Sequence, residues 1–370
     1  MQKVLTVFGT RPEAIKMAPV VKALQRTPEL QTVVCVTGQH REILDQMLGF
    51  FGLRADHDLN VMRPDQTLEG LTAAALTALG PVLDAERPDW LVVQGDTTTA
   101  MASALAAYYR KIKVAHVEAG LRTYDKYAPF PEEVNRKVIA AVADLHLAPT
   151  ETARKALLAE GHKDSTIRVT GNTGIDSLFW TRGEIHAGRI AAPPGLEAML
   201  EGKRLVLVTA HRRENFDEGL LEICQALKTL AERFEDIVAV LPVHPNPNVK
   251  GPIEAQLSGV PRVNLIPPVD YGPFVWLIDR AVVILTDSGG IQEEATALGR
   301  PMLVMRDVTE RPEAVAAGGA LLVGAQADAI TRHAGELLTD AALYRRMSAG
   351  SDVFGDGHAS DRIAAALRDW

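Results

Sequence analysis

Apolar runs of three to six residues alternate along the whole chain with longer stretches in which apolar positions recur every three or four residues. This alternation predicts an α/β chain with parallel sheets, because each helix then serves as the crossover between neighbouring strands. In the first half the runs predict strands near Val4 to Phe8, Thr32 to Thr37, Trp90 to Gln94, Val114 to Val117, Leu145 to Ala148 and Ile167 to Val169. The pattern restarts at Leu205 to Thr209 and continues near Val238 to Leu241, Val263 to Ile266, Val282 to Leu285, Met302 to Val304 and Leu321 to Val323. Residues 183–202 are rich in Gly, Pro and Ala and read as a linker with a little helix. We therefore expect one doubly wound domain over residues 1–172, a linker region over 173–202 and a second domain over 203–354. Two such domains facing each other would hold a ligand in the central cleft, at the carboxyl ends of the strands.

Composition narrows the partners. The 370 residues suffice for two domains with cores of their own, and a net charge of −8 lacks the basic excess of a general nucleic-acid binder. Cys35 and Cys224 fall in separate apolar patterns, one a strand and one a helix, so neither a disulfide nor a metal framework is expected. No apolar stretch reaches membrane-spanning length and the N-terminus has no signal-peptide pattern, so no membrane partner and a cytoplasmic location are expected.

Polar residues cluster at the predicted strand ends. Asp287-Ser288-Gly289-Gly290-Ile291-Gln292-Glu293-Glu294 follows an apolar run and opens a helical pattern. Ser288 can cap that helix, Gly289 and Gly290 allow close approach of a ligand, and the free N–H groups suit an anion such as pyrophosphate. Glu294, about one and a half turns further in, can accept hydrogen bonds from a ribose diol; an ordinary strand-to-helix junction with a capping Ser is the alternative. After the first strand, Arg11 and Lys16 stand near a helix start, where cations hint at a bound anion or form a solvated pair. Asp96 and Glu118 end two strands and would point into the cleft, the alternatives being a helix cap for Asp96 and a salt bridge from Glu118 to Arg122. Glu132, in the first turn of another helix, reads as structural on its own. His211-Arg212-Arg213 at a strand tip can neutralise a diphosphate, with His211 able to carry a proton near neutral pH. His244 ends the next strand and is less telling, while Arg311 again sets a cation beside a helix start. No zinc spacing and no Gly-x-Gly-x-x-Gly fingerprint after the first strand occurs, so neither a metal nor a nicotinamide cofactor is expected.

Taken together, Gly9-Thr10-Arg11-Pro12-Glu13, Gln94-Gly95-Asp96-Thr97, His116-Val117-Glu118-Ala119-Gly120-Leu121-Arg122, Pro131-Glu132-Glu133-Val134-Asn135-Arg136, His211-Arg212-Arg213-Glu214-Asn215, Asp287 to Glu294, Arg311-Pro312-Glu313 and Gly355-Asp356-Gly357-His358-Ala359-Ser360 resemble the non-hydrolysing UDP-N-acetylglucosamine 2-epimerases, in order and over essentially the whole chain. The resemblance implies a GT-B fold of two Rossmann-like domains, with the last helix, about 355–370, returning to the first domain. It implies interconversion of UDP-N-acetylglucosamine and UDP-N-acetylmannosamine by loss and re-addition of UDP through 2-acetamidoglucal, without a cofactor. Under it Asp96, Glu118, Glu132 and His211 form the catalytic set, which moves Glu132 from a structural to a functional reading. Arg11, Lys16, Ser288, Gly289, Gly290, Glu294 and Arg311 would bind the nucleotide, with Phe274 either touching uracil or lying in the core. Relatives imply a homodimer and an activating second substrate molecule near Gln39, Glu132, Arg212 and His244. Glu42 and Asp65 stand where Gln and Arg are expected, and His358 where relatives often carry Lys. A hydrolysing 2-epimerase, a UDP-sugar-dependent GT-B glycosyltransferase and a silent UDP-sugar sensor are the alternatives.

Overall fold

A computed structural model describes residues 1–38, 41–63 and 65–370, with residues 41–43 and 213 through their backbone alone. The chain divides into two compact units, Met1–Ser177 with Phe354–Trp370, and Leu178–Val353. The first contains a seven-stranded sheet and the second a six-stranded one.

The first sheet comprises β1 (Gln2–Phe8), β2 (Leu30–Val36), β3 (His57–Asp58), β4 (Trp90–Gln94), β5 (Lys113–Val117), β6 (Leu145–Ala148) and β7 (Ile167–Val169), in spatial order β3-β2-β1-β4-β5-β6-β7. Every neighbouring pair is parallel. Helices cover such a sheet on both faces, so its strands are apolar throughout rather than alternating. All five residues of β4 are buried accordingly. The second sheet comprises β8 (Arg204–Thr209), β9 (Ile237–Pro242), β10 (Val263–Ile266), β11 (Ala281–Thr286), β12 (Met302–Val304) and β13 (Ala320–Leu322), in order β10-β9-β8-β11-β12-β13, again all parallel. The predicted strands all appear, with ends that differ by at most two residues. The polar two-residue β3 is an addition that no apolar run announces.

In each sheet the order reverses once, between β1 and β4 in the first and between β8 and β11 in the second. Loops leaving the two strands at such a point diverge, so a crevice opens at their carboxyl ends. The β1 exit is built tightly. A Cβ on Gly9 would lie 1.7 Å from Oγ1 of Thr37, so any larger residue there would force the Thr37 side chain to move. Thr10 then caps the helix Arg11–Gln25, its hydroxyl accepting from the N–H of Glu13 while the Glu13 carboxylate accepts from the N–H of Thr10 at 2.8 Å and of Gly9 at 3.0 Å. Pro12 occupies the first turn of this helix, where its missing N–H costs nothing.

Residues 173–202 include the helix Thr173–His186 and the short helix Leu196–Met199, and the division between units falls inside the former. The last helix, Ala359–Arg368, belongs to the first unit and packs on Arg11–Gln25. Its N-terminus is held by Asp176, whose buried carboxylate accepts from the N–H groups of Ala359 at 3.1 Å and Ser360 at 2.7 Å. Cys35 and Cys224 are free and buried, and burial raises their thiols to about 12 and about 11. Among the described residues no helix is long and apolar enough to cross a membrane.

Candidate functional site

The strand ends at the first reversal carry a connected set of carboxylates and cations. Lys16, on the inner turns of Arg11–Gln25, places Nζ 2.5 Å from Oε2 of Glu118, and the Gln94 amide donates to the same oxygen at 2.7 Å. Glu118 follows β5 directly, with φ of 65°. A non-glycine residue in that left-handed region costs about 1–3 kcal/mol, which the surrounding contacts must offset. The strain has a geometric result: the carboxylate turns toward Lys16 while Ala119 still donates to Leu147 O at 3.1 Å. The alternative pairing with Arg122 does not occur, because Arg122 is bound to Glu160.

Asp96 lies just beyond β4. Thr97, not Asp96, caps the following helix Thr98–Tyr108, so the capping alternative for Asp96 is excluded. Its carboxylate instead meets the Arg136 guanidinium, Nε at 2.8 Å and Nη2 at 2.7 Å, and its backbone carbonyl accepts from the Asn135 amide at 2.9 Å. Asn135 and Arg136 sit three and four residues after Glu132 on the helix Glu132–Val142, so all three share a face. Within that helix the adjacent carboxylates have opposite surroundings. Glu133 is fully buried and accepts from the N–H groups of Thr123 and Tyr124, each at 3.1 Å, and from Arg136 at 3.2 Å. Glu132 Oε2 is buried with no hydrogen-bond partner among the described residues. The structural role first read into Glu132 therefore belongs to Glu133. An unsatisfied buried carboxylate oxygen is costly in a folded protein, which sets Glu132 apart from its neighbour Glu133. Beneath this set, His116 donates from Nε2 to Gly95 O at 2.6 Å, and burial, followed by the nearby Arg122 and Arg136 charges, outweighs that bond and lowers its pKa to about 4. Arg11 begins its helix half-buried and pairs with no carboxylate among the described residues.

At the second reversal the groups suit an anion. The helix Gly289–Ala297 follows β11 with Ser288 at its N-cap, but the Ser288 side chain makes no capping bond, contrary to expectation. The N–H of Ser288 is turned back to Oγ1 of Thr286 at 3.0 Å. Neither Gly289 nor Gly290 has a positive φ. A Cβ at Gly290 would meet nothing within 4 Å, and one at Gly289 only ordinary contacts with Arg212 and Glu310 at 3.8 Å. Backbone geometry and protein packing thus do not require glycine here; its effect is to leave the helix N–H groups uncovered. Glu294 lies half-buried further along the same helix. Arg311 precedes the short helix Pro312–Ala316 and is ion-paired with Glu293. Phe274 is half-buried on the helix Tyr271–Arg280 and is not part of the buried core.

His211 leaves β8 with Nδ1 3.2 Å from Oδ1 of Asp287, the residue that follows β11. Its ring stacks on His244, centroids 5.7 Å apart and planes 16° from parallel. His244 is exposed and accepts from the N–H of Asn246 on Nδ1 at 3.2 Å. Arg212 has a buried Nε without a partner among the described residues. Of the residues that the resemblance associates with an activating second substrate, Gln39 lies outside the described residues, as does the side chain of Glu42; Asp65 is exposed with φ of 54°. His358 is exposed at the N-cap of the last helix, 3.5 Å from Asp361. Residue reading missed Asp287, Gln94, Asn135 and Arg136 as supports, because each holds its partner from a distant strand or helix. Among the described residues no group of three or more His, Cys, Asp and Glu side chains is placed to hold a metal ion.

Similarity to known proteins extends over nearly the whole chain. The family model for UDP-N-acetylglucosamine 2-epimerase matches residues 22–368. The chain is 51% identical over 370 residues to the UDP-N-acetylglucosamine 2-epimerase of Escherichia coli (strain K12), covering 99% of this chain and 98% of that one. It is 50% identical over 375 residues to the enzyme of that name from Yersinia pestis, with 99% and 98% covered. Its structure is similar to that of the Neisseria meningitidis UDP-GlcNAc 2-epimerase bound to UDP-GlcNAc, with a TM-score of 0.87, 44% identity and 100% of both chains covered. The α/β class of GT-B type, with two Rossmann-like units, agrees with the expectation from sequence.

Proposed function

From its membership of the UDP-N-acetylglucosamine 2-epimerase family, we propose that the chain interconverts UDP-N-acetylglucosamine and UDP-N-acetylmannosamine without net hydrolysis. The observation that carries the reading is the division of chemistry between the two strand-order reversals. Asp96, Glu118 and Glu132, whose Oε2 has no hydrogen-bond partner among the described residues, gather at one, and an uncovered helix N-terminus with His211 and Arg212 at the other.

In this reading the carbon-2 proton leaves to one of the carboxylates, the carbon–hydrogen electron pair forms the C1=C2 bond, and the C1–O bond breaks to release UDP. Return of UDP to C1 and of a proton to the opposite face of C2 completes the inversion. No electrons are gained or lost, so the sequence of steps needs no redox cofactor. Departure of a diphosphate is helped by donors aimed at the developing charge. Ser288, Gly289 and Gly290 serve the pyrophosphate, Glu294 the ribose and Phe274 the uracil, while Arg11, Lys16 and Arg311 supply positive charge. Arg212 and His244 serve activation by a second substrate molecule, read out as a sigmoidal rate dependence on substrate. The protein acts as a homodimer, which light scattering checks.

Incubation with UDP-N-acetylglucosamine alone in D2O, followed by proton NMR, tests the reading. UDP-N-acetylmannosamine with deuterium at carbon 2 is expected. Free N-acetylmannosamine and UDP as the first products would instead show a hydrolysing enzyme, and no turnover without an acceptor would point to a glycosyltransferase.

A further inference from the structure

The carboxylate behind His211 is wholly shielded from solvent. Asp287 is 0% exposed, and its Oδ2 gathers three donors, the N–H groups of His211 and Arg212 at 2.9 Å each and the Asn215 amide at 3.2 Å. Asn215 is itself anchored to Met305 O at 3.1 Å. These contacts fix one oxygen and, through it, the plane of the carboxylate. The other oxygen, Oδ1, has no well-aligned hydrogen bond among the described residues, yet it lies 3.2 Å from Nδ1 of His211. A buried acceptor without a donor is destabilising, and a small rotation of the imidazole brings an Nδ1–H onto it.

Burial acts to raise the Asp287 carboxyl, but the His211 ring and the backbone N–H groups more than offset it and leave the group below the ordinary carboxylate value. It therefore carries its negative charge at neutral pH. A carboxylate can only accept, so the ring nitrogen facing it is the protonated one. The register pairing Thr286 with Thr209 brings the ends of β11 and β8 side by side, so the two residues meet without any loop having to fold back. The His244 ring stacks on one face of the His211 ring.

We propose that Asp287 is a positioning residue, holding the His211 ring with its proton on Nδ1 so that Nε2 is the nitrogen presented for proton exchange during loss and return of the diphosphate. The imidazolium formed when Nε2 takes up a proton then has its charge met by Asp287. What Nε2 acts on rests on the function proposed above; which nitrogen carries the proton does not.

The test compares the full-length wild type with Asp287→Asn, both labelled with ¹⁵N-histidine. Asparagine keeps an oxygen for the three donors and turns an NH2 group toward Nδ1, so the backbone anchor is retained while the polarity at the ring is reversed. In the wild type the His211 ¹⁵N shifts should report a protonated Nδ1 and a bare Nε2, and in the variant the reverse. Turnover number should fall about 100-fold in the variant, within the range typical of positioned acid–base groups, while UDP affinity by calorimetry stays within about twofold. Adding Asp287→Asn to His211→Ala should slow turnover no further, because residues that act as a unit are not additive. A wild-type Nε2–H tautomer overturns the proposal, as does a variant with near wild-type turnover, a matching loss of UDP affinity, or multiplicative losses in the double variant. Should Asp287→Asn not fold, the wild-type ¹⁵N signature alone decides. Absence of UDP-N-acetylmannosamine from wild-type reactions would instead count against the proposed reaction, because the tautomer is read without turnover.

Discussion

At the scale of single residues, the neighbouring carboxylates Glu132 and Glu133 show how environment assigns roles that residue type leaves open. Both stand in the first turn of one helix, where acidic residues complement the dipole. Glu133 spends its oxygens on two backbone N–H groups and Arg136, whereas Glu132 Oε2 is buried without a partner among the described residues. Opposite outcomes are expected on neutralising them. Glu133→Gln should lower stability by about 1–3 kcal/mol, because an amide replaces a charged acceptor in a buried network. Glu132→Gln should leave the melting temperature within a few degrees and lower turnover about 10²- to 10⁴-fold, the range typical of positioned acid–base groups. Thermal melts and product NMR on the two variants check this. A Glu132→Gln protein with full turnover would return that residue to a structural role.

At the scale of elements, the helix Gly289–Ala297 makes a sharper case than its sequence could. The Asp-Ser-Gly-Gly run predicts a capping serine and glycines that admit a ligand, but the serine does not cap and the glycines are free of both positive φ and steric demand. Gly290→Ala should then stabilise the unit by about 0.5–1 kcal/mol, since alanine loses less conformational freedom in a helix. The same methyl, projecting into open space at the helix N-terminus, should weaken UDP binding about tenfold or more. Opposite signs in melting temperature and calorimetric affinity are the expected result; unchanged affinity would show that the space is not used by the nucleotide. Strands were legible in the sequence because a parallel strand covered on both faces is a continuous apolar run, as in β4 and β11. The strand β3, two polar residues long, has no such signature. The site residues were legible by their place after strands, but their supports were not. Nothing local in the sequence announces that Arg136 reaches back to Asp96, that Glu118 adopts a left-handed backbone, or that Asp287 stands behind His211.

At the scale of the molecule, each unit has its own apolar core, so acid need not act on both alike. The first unit carries the pair His116 and His146, opposite each other in register on β5 and β6 and both buried. Burial, above all, lowers their pKa values, to about 4 for His116 and about 3 for His146, where the neighbouring His162 and His116 rings add to the effect. In an unfolded chain both would titrate near 6.5. Between pH about 6.5 and about 4 the unfolded state therefore binds more protons than the folded one, and stability falls as pH falls through that window. Each unit of difference corresponds to about 1.36 kcal/mol, so the two histidines together withdraw several kcal/mol from the first unit by pH 4. Hydrogen exchange followed by mass spectrometry at pH 7 and pH 5, corrected for intrinsic rates, should show protection lost in β5 and β6 before β8 and β11. His146→Asn, which removes one of the two titrating rings, should shrink the acid-induced loss in the first unit and leave the second unchanged. Equal loss of protection in both sheets, or an acid response untouched by His146→Asn, would mean that groups other than this buried pair set the acid limit of the fold.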